Sequence, residues 1–395
     1  MPHTTDSFDV AIVGGGIAGL AVAWRAQQRG LRTVVLERDR LARGATHVAA
    51  GMLAPISEAR VGERGLLALS RASLARYPEF VGVLADASGR DPGWSACGTL
   101  LVARDRDEAE ALERELVERE AMGLPVERLL PSEARRREPA LAPTLRLALD
   151  IPDDHAIDPR ALSAALAVAV ERAGCALREG VDVARVVLAD DGERVSGVEL
   201  TGGARIHADQ VVIAAGAWTG ALDGLPAHAR VPVRPVKGQI MRLRDPAGAG
   251  LLTRVVRFAA GTSYLVPRGD GRYVLGATME EQGFDTAPTA GGIFELLRDA
   301  IELVPGVSEL AIEEVAAGLR PGTPDNAPAL GPGALPGLQW AAGCFRHGIL
   351  LAPIVADALA ATLVGEPLPA AAAPFAATRF APTPATKPAR EAVAS

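Results

Sequence analysis

The stretch Asp9-Val-Ala-Ile-Val-Gly-Gly-Gly-Ile-Ala-Gly-Leu20, followed by Thr33-Val-Val-Leu-Glu37, decides the fold of this chain. Its apolar run at residues 10–13 is typical of a parallel strand that is buried on both faces. The spacing Gly-x-Gly-x-x-Gly follows at Gly14, Gly16 and Gly19. In that spacing the glycines permit a tight turn, the approach of a pyrophosphate and close packing of a helix on the strand.

A helix and a second strand complete this unit. Apolar residues recur at helical spacing over 17–28, and Gly30 stands where a helix C-cap is expected. The predicted strand at 34–36 ends in Glu37, whose carboxylate is placed to accept both hydroxyls of an adenosine ribose. Strand, turn, helix, strand and acid in one unit predict a dinucleotide site, with the phosphates at the helix N-terminus.

Composition favours a soluble α/β enzyme. The 395 residues are 49% hydrophobic and carry a formal net charge of -7, which argues against binding to nucleic acid or an anionic membrane. No apolar run reaches the ~18–20 residues of a membrane span, and the first residues do not resemble a signal peptide. The scattered Cys97, Cys175 and Cys344 indicate neither a disulfide framework nor a metal site. We therefore expect a cytoplasmic protein.

The rest of the chain predicts two interleaved domains. Helices are expected at 66–84, 107–122, 159–173, 296–303 and 349–363, and strands at 98–102, 181–187, 195–200, 211–216, 239–243, 255–258, 264–266, 273–275, 312–315 and 338–342. We assign the dinucleotide domain to 1–88, 150–228 and 320–366, and a substrate domain to 89–149 and 229–319. Residues 367–395 are rich in Ala and Pro and predict a disordered tail.

Several further motifs carry a resemblance. They are Gly44-Ala-Thr-His-Val-Ala-Ala-Gly-Met-Leu-Ala-Pro55, Tyr264-Leu-Val-Pro-Arg268, Gly276-Ala-Thr-Met279, Gly318-Leu-Arg-Pro-Gly-Thr-Pro-Asp325 and Gly343-Cys-Phe-Arg-His-Gly-Ile-Leu-Leu-Ala-Pro353. With the glycine turn, they make residues 8–366 resemble the D-amino-acid oxidase and sarcosine oxidase superfamily, and within it the glycine oxidases of thiamine (thiazole) synthesis. The resemblance implies a Rossmann-like FAD-binding domain of the D-amino-acid oxidase/glutathione reductase type. It also implies a discontinuous α+β substrate domain with an antiparallel sheet.

The resemblance also implies which residues hold FAD. They are Gly14, Gly15, Gly16, Ile17, Ala18, Gly19, Glu37, Arg38, Ala45, Thr46, Ala50, Gly51, Met52, Val183, Ala215, Gly216, Trp218, Cys344, Phe345, Arg346, His347, Gly348, Ile349 and Leu350. The N-terminus of the last helix is expected to face the flavin edge that gathers negative charge on reduction.

The same resemblance assigns Arg320 to the substrate carboxylate, with the Tyr264 hydroxyl beside it. A guanidinium suits this task because its planar fork matches a carboxylate. Arg346 matches a substrate-side arginine and Met279 an apolar lining residue. Without the motifs, a structural salt bridge is the expected role of Arg320 and a core position that of Tyr264. Arg346 also suits a scaffold for the flavin loop, and Met279 suits simple packing.

Three departures refine the assignment. Gly318 stands where sarcosine oxidases attach the flavin to a cysteine, so the FAD is expected to be noncovalent. Leu350 replaces the lysine that those enzymes carry near the flavin, and Thr262 replaces an expected histidine.

The resemblance implies FAD-dependent oxidation of glycine, sarcosine and small D-amino acids, with O2 reoxidising the flavin to give H2O2. It also implies a homo-oligomer, such as a tetramer, and transfer of the product to a thiazole synthase. Two alternatives stay open. One is an FAD-dependent dehydrogenase that passes electrons to a quinone or a partner protein, and the other is a noncatalytic FAD-binding interaction module.

Overall fold

The computed structural model describes residues 7–60, 62–248, 250–259 and 263–381. The N-terminal residues 1–6, Thr262 and residues 382–395 of the predicted tail lie outside the described residues. Among the helices of the described part, none combines the length and the apolar character that crossing a membrane requires.

Within these ranges the chain alternates helices and strands. The helices are α1 Ile17–Gln28, α2 Ala45–Val48, α3 Arg64–Leu74, α4 Tyr77–Ser88, α5 Arg106–Ala121, α6 Pro131–Arg137, α7 Pro159–Arg172, α8 Ala290–Leu303 and α9 Ala352–Leu363. The strands are β1 Ser7–Val13, β2 Thr33–Leu36, β3 Met52–Leu53, β4 Trp94–Ser95, β5 Thr99–Ala103, β6 Glu127–Leu129, β7 Leu147–Ile151, β8 His155–Ile157, β9 Ala176–Arg178, β10 Val183–Leu188, β11 Val195–Leu200, β12 Arg205–Ile213, β13 Arg234–Arg244, β14 Val255–Phe258, β15 Tyr264–Pro267, β16 Arg272–Gly276, β17 Ala311–Gly322, β18 Ala329–Pro332 and β19 Leu338–Ala342.

The first sheet has β1 at its centre. Its strands run in the order β10-β11-β12-β1-β2-β9, and β19 pairs with both β12 and β18. β1 is parallel to both β2 and β12, and its last four residues are buried, as the apolar run predicts. Helices α1, α7 and α9 pack on one another and bury a core against this sheet. The α/β fold class predicted from the sequence is therefore confirmed.

The second sheet lies opposite and runs in the order β17-β13-β16-β15-β14-β5-β7-β6. All its pairs are antiparallel except β14 with β5. Helix α8 packs on its outer face, and a small sheet, β3-β8-β4, lies between the larger sheets. The predicted domain limits stay a prediction. Two of them, at 149/150 and 319/320, fall inside the strands β7 and β17.

Three predicted helices differ in the structure, and one of them, α8, begins at Ala290, six residues before the predicted start at 296. The segment predicted as one helix at 66–84 forms α3 and α4, because Pro78 in the first turn of α4 cannot continue the preceding helix. The last helix begins at Ala352, three residues later than predicted, and its N-cap is Leu351. Residues 344–351 instead form turns, with Phe345 at a φ of 46°.

The predicted disordered tail is wrong for residues 367–381. This segment contains the 3-10 turns Ala373–Phe375 and Ala377–Phe380, and Phe375 is buried in the helical core beside sheet one. Arg379 anchors the segment by donating to Asp325 Oδ2 at 2.9 Å. Composition alone missed this order because the segment is held by a few long-range contacts rather than by a repeating apolar pattern.

Candidate cofactor and substrate site

A cavity of about 700 Å³ runs between the two large sheets. One end lies at the carboxyl end of β1, where Gly14, Gly16 and Glu37 line it. The other lies against the second sheet, where Tyr264 and Arg320 line it. We call these the cofactor end and the substrate end. Its volume lies within the ordinary range of ligand sites, and its elongated lining suits a dinucleotide with a small second molecule.

The glycines of the cofactor end are there for two different reasons. A Cβ on Gly19 would lie 1.9 Å from the Gly14 carbonyl oxygen, so this glycine permits α1 to pack on β1. Gly14 has a φ of 109°, which favours glycine. A Cβ on Gly16, in contrast, would meet only Thr46 Oγ1, at 3.5 Å, and would point into open cavity. The protein's own packing does not require Gly16, so a ligand's close approach explains it.

Backbone N–H groups surround that open space. Gly15 N donates to Glu37 Oε2 at 2.8 Å, and Ile17 N donates to Thr46 Oγ1 at 3.0 Å. The N-cap residue of α1, Gly16, has no side chain to cap the remaining N–H groups of the first turn, and Ala18 there lines the cavity. An uncapped helix N-terminus facing a cavity is a site for anionic phosphate. Glu37 also accepts from Asp39 N at 3.1 Å, which fixes its carboxylate at the cavity wall.

A half-buried ion cluster that the sequence analysis missed fixes the backbone next to Thr46. Arg160 Nε and Arg242 Nη2 donate to the His47 carbonyl oxygen at 3.1 and 2.8 Å. Glu314 on β17 accepts from Arg160 Nη2 at 2.8 Å and thereby ties α2 to the second sheet. Burial, followed by the charge of Arg160, lowers the pKa of His47 to about 4, so this histidine is neutral at physiological pH.

At the substrate end, Arg320 crosses Gly238 of β13. A Cβ on Gly238 would lie 2.4 Å from Arg320 Nη1, so only glycine lets the guanidinium lie there. Arg320 Nη1 donates to the carbonyl oxygens of Thr278 and Lys237 at 3.0 and 3.3 Å. These bonds fix one edge of the guanidinium and no carboxylate pairs with it among the described residues, which argues against the alternative of a structural salt bridge.

Tyr264 lies beside Arg320 and is half-buried. Burial raises the pKa of its hydroxyl against the opposing charge of Arg320, so the phenol stays protonated and can donate. Met279 also lines the cavity, but its side chain is 41% exposed. That exposure places it at the rim, not in the core that the packing alternative would require.

Two charged residues of the substrate end, Glu58 and Arg257, escaped the sequence analysis. Both line the cavity, and Arg257 Nη2 lies 3.8 Å from Glu58 Oε1. Asp154 clamps the loop before Glu58 by accepting from Ile56 N and Ser57 N at 3.0 and 2.7 Å. The signal that could have found Arg257 is its register: it lies directly opposite Tyr264 in the sheet.

The ionisation states at this end follow from burial and from the arginines. Burial favours a neutral Glu58, but the positive charges of Arg257 and Arg346 outweigh it and lower the pKa of this carboxyl. Burial lowers the pKa of His347, whose Nδ1 lies 3.5 Å from Glu58 Oε2. At neutral pH we therefore assign an ionised Glu58, a neutral His347 and a protonated Tyr264.

The segment 344–351 supplies the wall between the two ends. Gly348 and Ile349 line the cavity, and neither donates its N–H to another residue in the described part of the chain. The N-terminus of α9 does not face the cavity as the resemblance implied, since Ile354 N is bonded to Ser73 Oγ at 3.4 Å. The turn before the helix, not the helix itself, presents free N–H groups.

The structure brings most of the predicted site residues to this cavity. Those that line it are Gly14, Gly16, Ile17, Ala18, Glu37, Arg38, Ala45, Thr46, Ala50, Gly51, Met52, Val183, Ala215, Gly216, Trp218, Tyr264, Met279, Arg320, Cys344, Phe345, Arg346, Gly348 and Ile349. Gly15, Gly19, His347 and Leu350 do not. Gly15 and Gly19 act through backbone packing, His347 through Glu58, and Leu350 belongs to the core beside α9.

Comparison with known proteins agrees with this geometry. The sequence profile described as FAD dependent oxidoreductase matches residues 9–362. The chain belongs to this family. The family's cofactor is FAD, and an uncapped α1, an open space at Gly16 and a fixed Glu37 carboxylate fit it.

Among its relatives, the glycine oxidase of Geobacillus kaustophilus is 34% identical and aligns with 95% of this chain and 98% of its own length. The crystal structure of the glycine oxidase from that organism superposes with a TM-score of 0.88 at 35% identity, covering 95% of this chain and 99% of that one. The bifunctional protein ThiO/ThiG of Synechocystis sp. is 37% identical over 95% of this chain, which spans only 54% of that longer protein. The resemblance to glycine oxidases is confirmed.

Proposed function

We propose that this protein oxidises glycine, and also sarcosine and small D-amino acids, with FAD as cofactor and O2 as electron acceptor. One observation carries the proposal. Arg320 is held by two backbone carbonyls next to the protonated Tyr264, at the opposite end of a cavity that begins at the dinucleotide turn. A planar cation beside a neutral hydroxyl is the donor set expected for a small carboxylate.

The residues of the substrate end act by orientation and charge. Arg320 and Tyr264 bind the carboxylate and thereby fix the direction of the substrate Cα–H bond. Bound FAD supplies the acceptor for that hydride, while the substrate nitrogen, which loses a proton, forms the C=N bond of an imino acid. Hydrolysis of this product gives glyoxylate and ammonia. We assign no catalytic base among the described residues of the substrate end, since the lowered pKa of Glu58 makes it a weak base and His347 does not line the cavity.

We further propose that the FAD is noncovalent. The counterpart of the covalent cysteine is Gly318, and the cavity thiol, Cys344, has its pKa raised to about 12 by burial. A thiol in that environment is a poor nucleophile. Precipitating the protein with acid should therefore release free FAD into the supernatant.

The wider setting rests on the relatives and on the cysteines. The name ThiO/ThiG of a fused relative favours delivery of the imino product to a thiazole synthase, and we propose that this chain serves the same synthesis, as a homo-oligomer. Cys97, Cys175 and Cys344 are all free thiols. Free thiols are typical of a reducing compartment, so we place the protein in the cytoplasm.

Anaerobic titration of the purified yellow protein with glycine, followed by air and a peroxide assay, tests this function. The proposal predicts bleaching of the flavin by glycine and its return in air with stoichiometric H2O2. Bleaching that persists in air until a quinone is added would establish a dehydrogenase instead. Failure of glycine, sarcosine and D-alanine to bleach the flavin would contradict the proposed substrate class and favour a noncatalytic module.

A further inference from the structure

The substrate end carries more positive charge than a small amino acid can neutralise. Arg257, Arg320 and Arg346 all line it, whereas Glu58 is the one carboxylate among the described residues there. Three guanidinium groups against one carboxylate leave an excess of two positive charges. The carboxylate of glycine offsets only one of them. A half-buried excess charge is costly unless an anion accompanies it.

Arg346 shows where an anion is missing. Its Nε is buried without a hydrogen-bond partner, and the whole guanidinium makes no hydrogen bond or ion pair with any described residue. Its Cζ lies 5.6 Å from the centroid of the Phe345 ring. A flexible arginine that served only as a scaffold would be expected to reach backbone carbonyls, as Arg268 does at Ile157 O.

Arg257 is only partly satisfied as well. Its Nη1 donates to the Ser57 carbonyl oxygen, but its Nε is buried and has no hydrogen-bond partner. Its Nη2 lies 3.8 Å from Glu58, which is beyond hydrogen-bond distance. Glu58 in turn is shared with His347. The carboxylate therefore leaves donors on both arginines available to a ligand.

The sheet sets the separation between the strand of Arg257 and the strand over which the Arg320 guanidinium lies. Arg257 lies opposite Tyr264, Tyr264 opposite Gly276, and Gly276 opposite Ile240 of β13. The guanidinium of Arg320 lies on that same strand, over Gly238. The backbones of β14 and β13 are thus three strand spacings, or about 14 Å, apart. An amino acid whose carboxyl carbons are about 5 Å apart, with each carboxylate bound by a guanidinium at about 3 Å, fits within this backbone separation.

We propose that Arg257 and Arg346 form a second anion subsite, and that the enzyme also oxidises amino acids that carry a second carboxylate. This inference rests on the proposed function, because Arg320 is taken to hold the first carboxylate. The second carboxylate is attached to nitrogen in iminodiacetate and to the side chain in D-glutamate, and in both compounds the two carboxyl carbons lie about 5 Å apart when extended. Glu58 weakens binding at this subsite by repulsion and so keeps monocarboxylates competitive.

The chemistry is that of the proposed reaction. With iminodiacetate, one Cα–H bond gives a hydride to FAD, the nitrogen loses its proton, and a C=N bond forms. Water then cleaves the imine to glyoxylate and glycine, while O2 takes two electrons and two protons to become H2O2. The second carboxylate is unchanged throughout, and only its binding distinguishes this substrate from glycine.

The positive charge of Arg257 and Arg346 could instead stabilise the reduced flavin. The two roles predict different effects on glycine and on dicarboxylates when the charge is removed. A charge that acts on the flavin affects all substrates equally. A subsite affects dicarboxylates selectively. The informative quantity is therefore the ratio of kcat/KM for iminodiacetate, or for D-glutamate, to kcat/KM for glycine.

We would measure this ratio in the wild type, Arg257→Met, Glu58→Gln and the control Arg254→Met. Arg254 is bonded to Asp150 and does not line the cavity. The proposal predicts a ratio at least about tenfold lower in Arg257→Met and severalfold higher in Glu58→Gln, with no change in the control. Which of the two dicarboxylates responds shows whether the second carboxylate is on nitrogen or on the side chain.

Binding of unreactive anions gives an independent measurement. The proposal predicts that glutarate, whose carboxyl carbons lie about 5 Å apart when extended, perturbs the flavin spectrum of the holoenzyme at lower concentration than acetate, and that Arg257→Met removes the difference. If Arg257→Met does not fold, Glu58→Gln still has to strengthen glutarate binding. Equal ratios in all variants, or a wild type that glycine reduces and neither dicarboxylate does, would overturn the subsite. Failure of glycine itself would instead contradict the proposed function.

Discussion

At the cofactor end of the cavity the wall is largely backbone: glycines, the N-terminus of α1 and the turn at Gly348. At the substrate end it is charged side chains, with Arg320, Arg257 and Glu58 arriving from three separate parts of the chain. Backbone groups bind the cofactor through their shape and dipoles, and this binding is the same for every substrate. Side-chain charges can change one at a time, so specificity can vary at the substrate end without disturbing the cofactor.

The largest expected effect is at the cofactor end. Gly19→Ala places a Cβ 1.9 Å from the Gly14 carbonyl oxygen, which displaces α1 from β1. We expect loss of bound FAD, measured as the flavin-to-protein absorbance ratio. Gly82→Ala, an exposed position in α4 with nothing within 4 Å of its Cβ, is the control. It should keep full FAD and gain about 0.5–1 kcal/mol of stability.

The pH dependence of turnover comes next. Because the pKa values of Glu58 and His347 are lowered and that of Tyr264 is raised, the substrate ammonium is the group of the substrate end that we expect to titrate between pH 7 and 9. We expect kcat/KM for glycine to rise by roughly tenfold per pH unit while that ammonium is the dominant form. A bell-shaped profile with an acidic limb belonging to the protein would show that a residue of the substrate end acts as a base.

Tyr264→Phe should act on substrate alone. It removes one hydrogen bond to a charged carboxylate, a loss of ~1.5–3 kcal/mol, or about 10- to 100-fold in kcat/KM. FAD content should stay that of the wild type, because Tyr264 lies on the second sheet, away from the glycine turn. A variant that loses FAD instead would show that the two ends are not separable.

The smallest effect is on stability and concerns the clamp below Glu58. Burial raises the pKa of Asp154 to about 6, so the folded protein binds a proton more tightly than the unfolded chain. Stability should therefore fall by up to about 3 kcal/mol as pH rises from 4 to 6. In Asp154→Asn, which cannot ionise at this position, the unfolding free energy should not show this decrease between pH 4 and 6. Parallel curves of unfolding free energy against pH would contradict the raised pKa.

The same contrast explains what the sequence could predict. Residues 9–37 contain the main elements of the cofactor end, and the strand, glycines, helix and acid are neighbours in the chain. Local sequence rules were therefore sufficient to predict this end. Tyr264 and Arg320 were identified only through motifs of a resembling family. Glu58 and Arg257 belong to no local sequence motif. The sheet register brings Arg257 to the site, and the loop held by Asp154 brings Glu58 there.

Errors in the predicted elements have a similar origin. The continuous apolar pattern over 66–84 concealed the break at Pro78. The last helix was predicted to begin too early because its preceding turn is also apolar, and the positive φ of Phe345 is not visible in a pattern. Residues 367–381 were predicted as disordered although Phe375 anchors them in the core. In each case a tertiary contact or a single backbone angle overrode composition.

The most direct test of the account is the anaerobic rate of flavin bleaching as a function of glycine concentration, in the wild type and in Arg320→Leu at equal FAD content. The account predicts saturation in the wild type. In the variant, the slope at low glycine should fall by about 30- to 4,000-fold, the equivalent of ~2–5 kcal/mol for an ion pair that loses one partner. Identical saturation curves for the two proteins would contradict the assignment of Arg320 to the carboxylate, and with it the proposed substrate end.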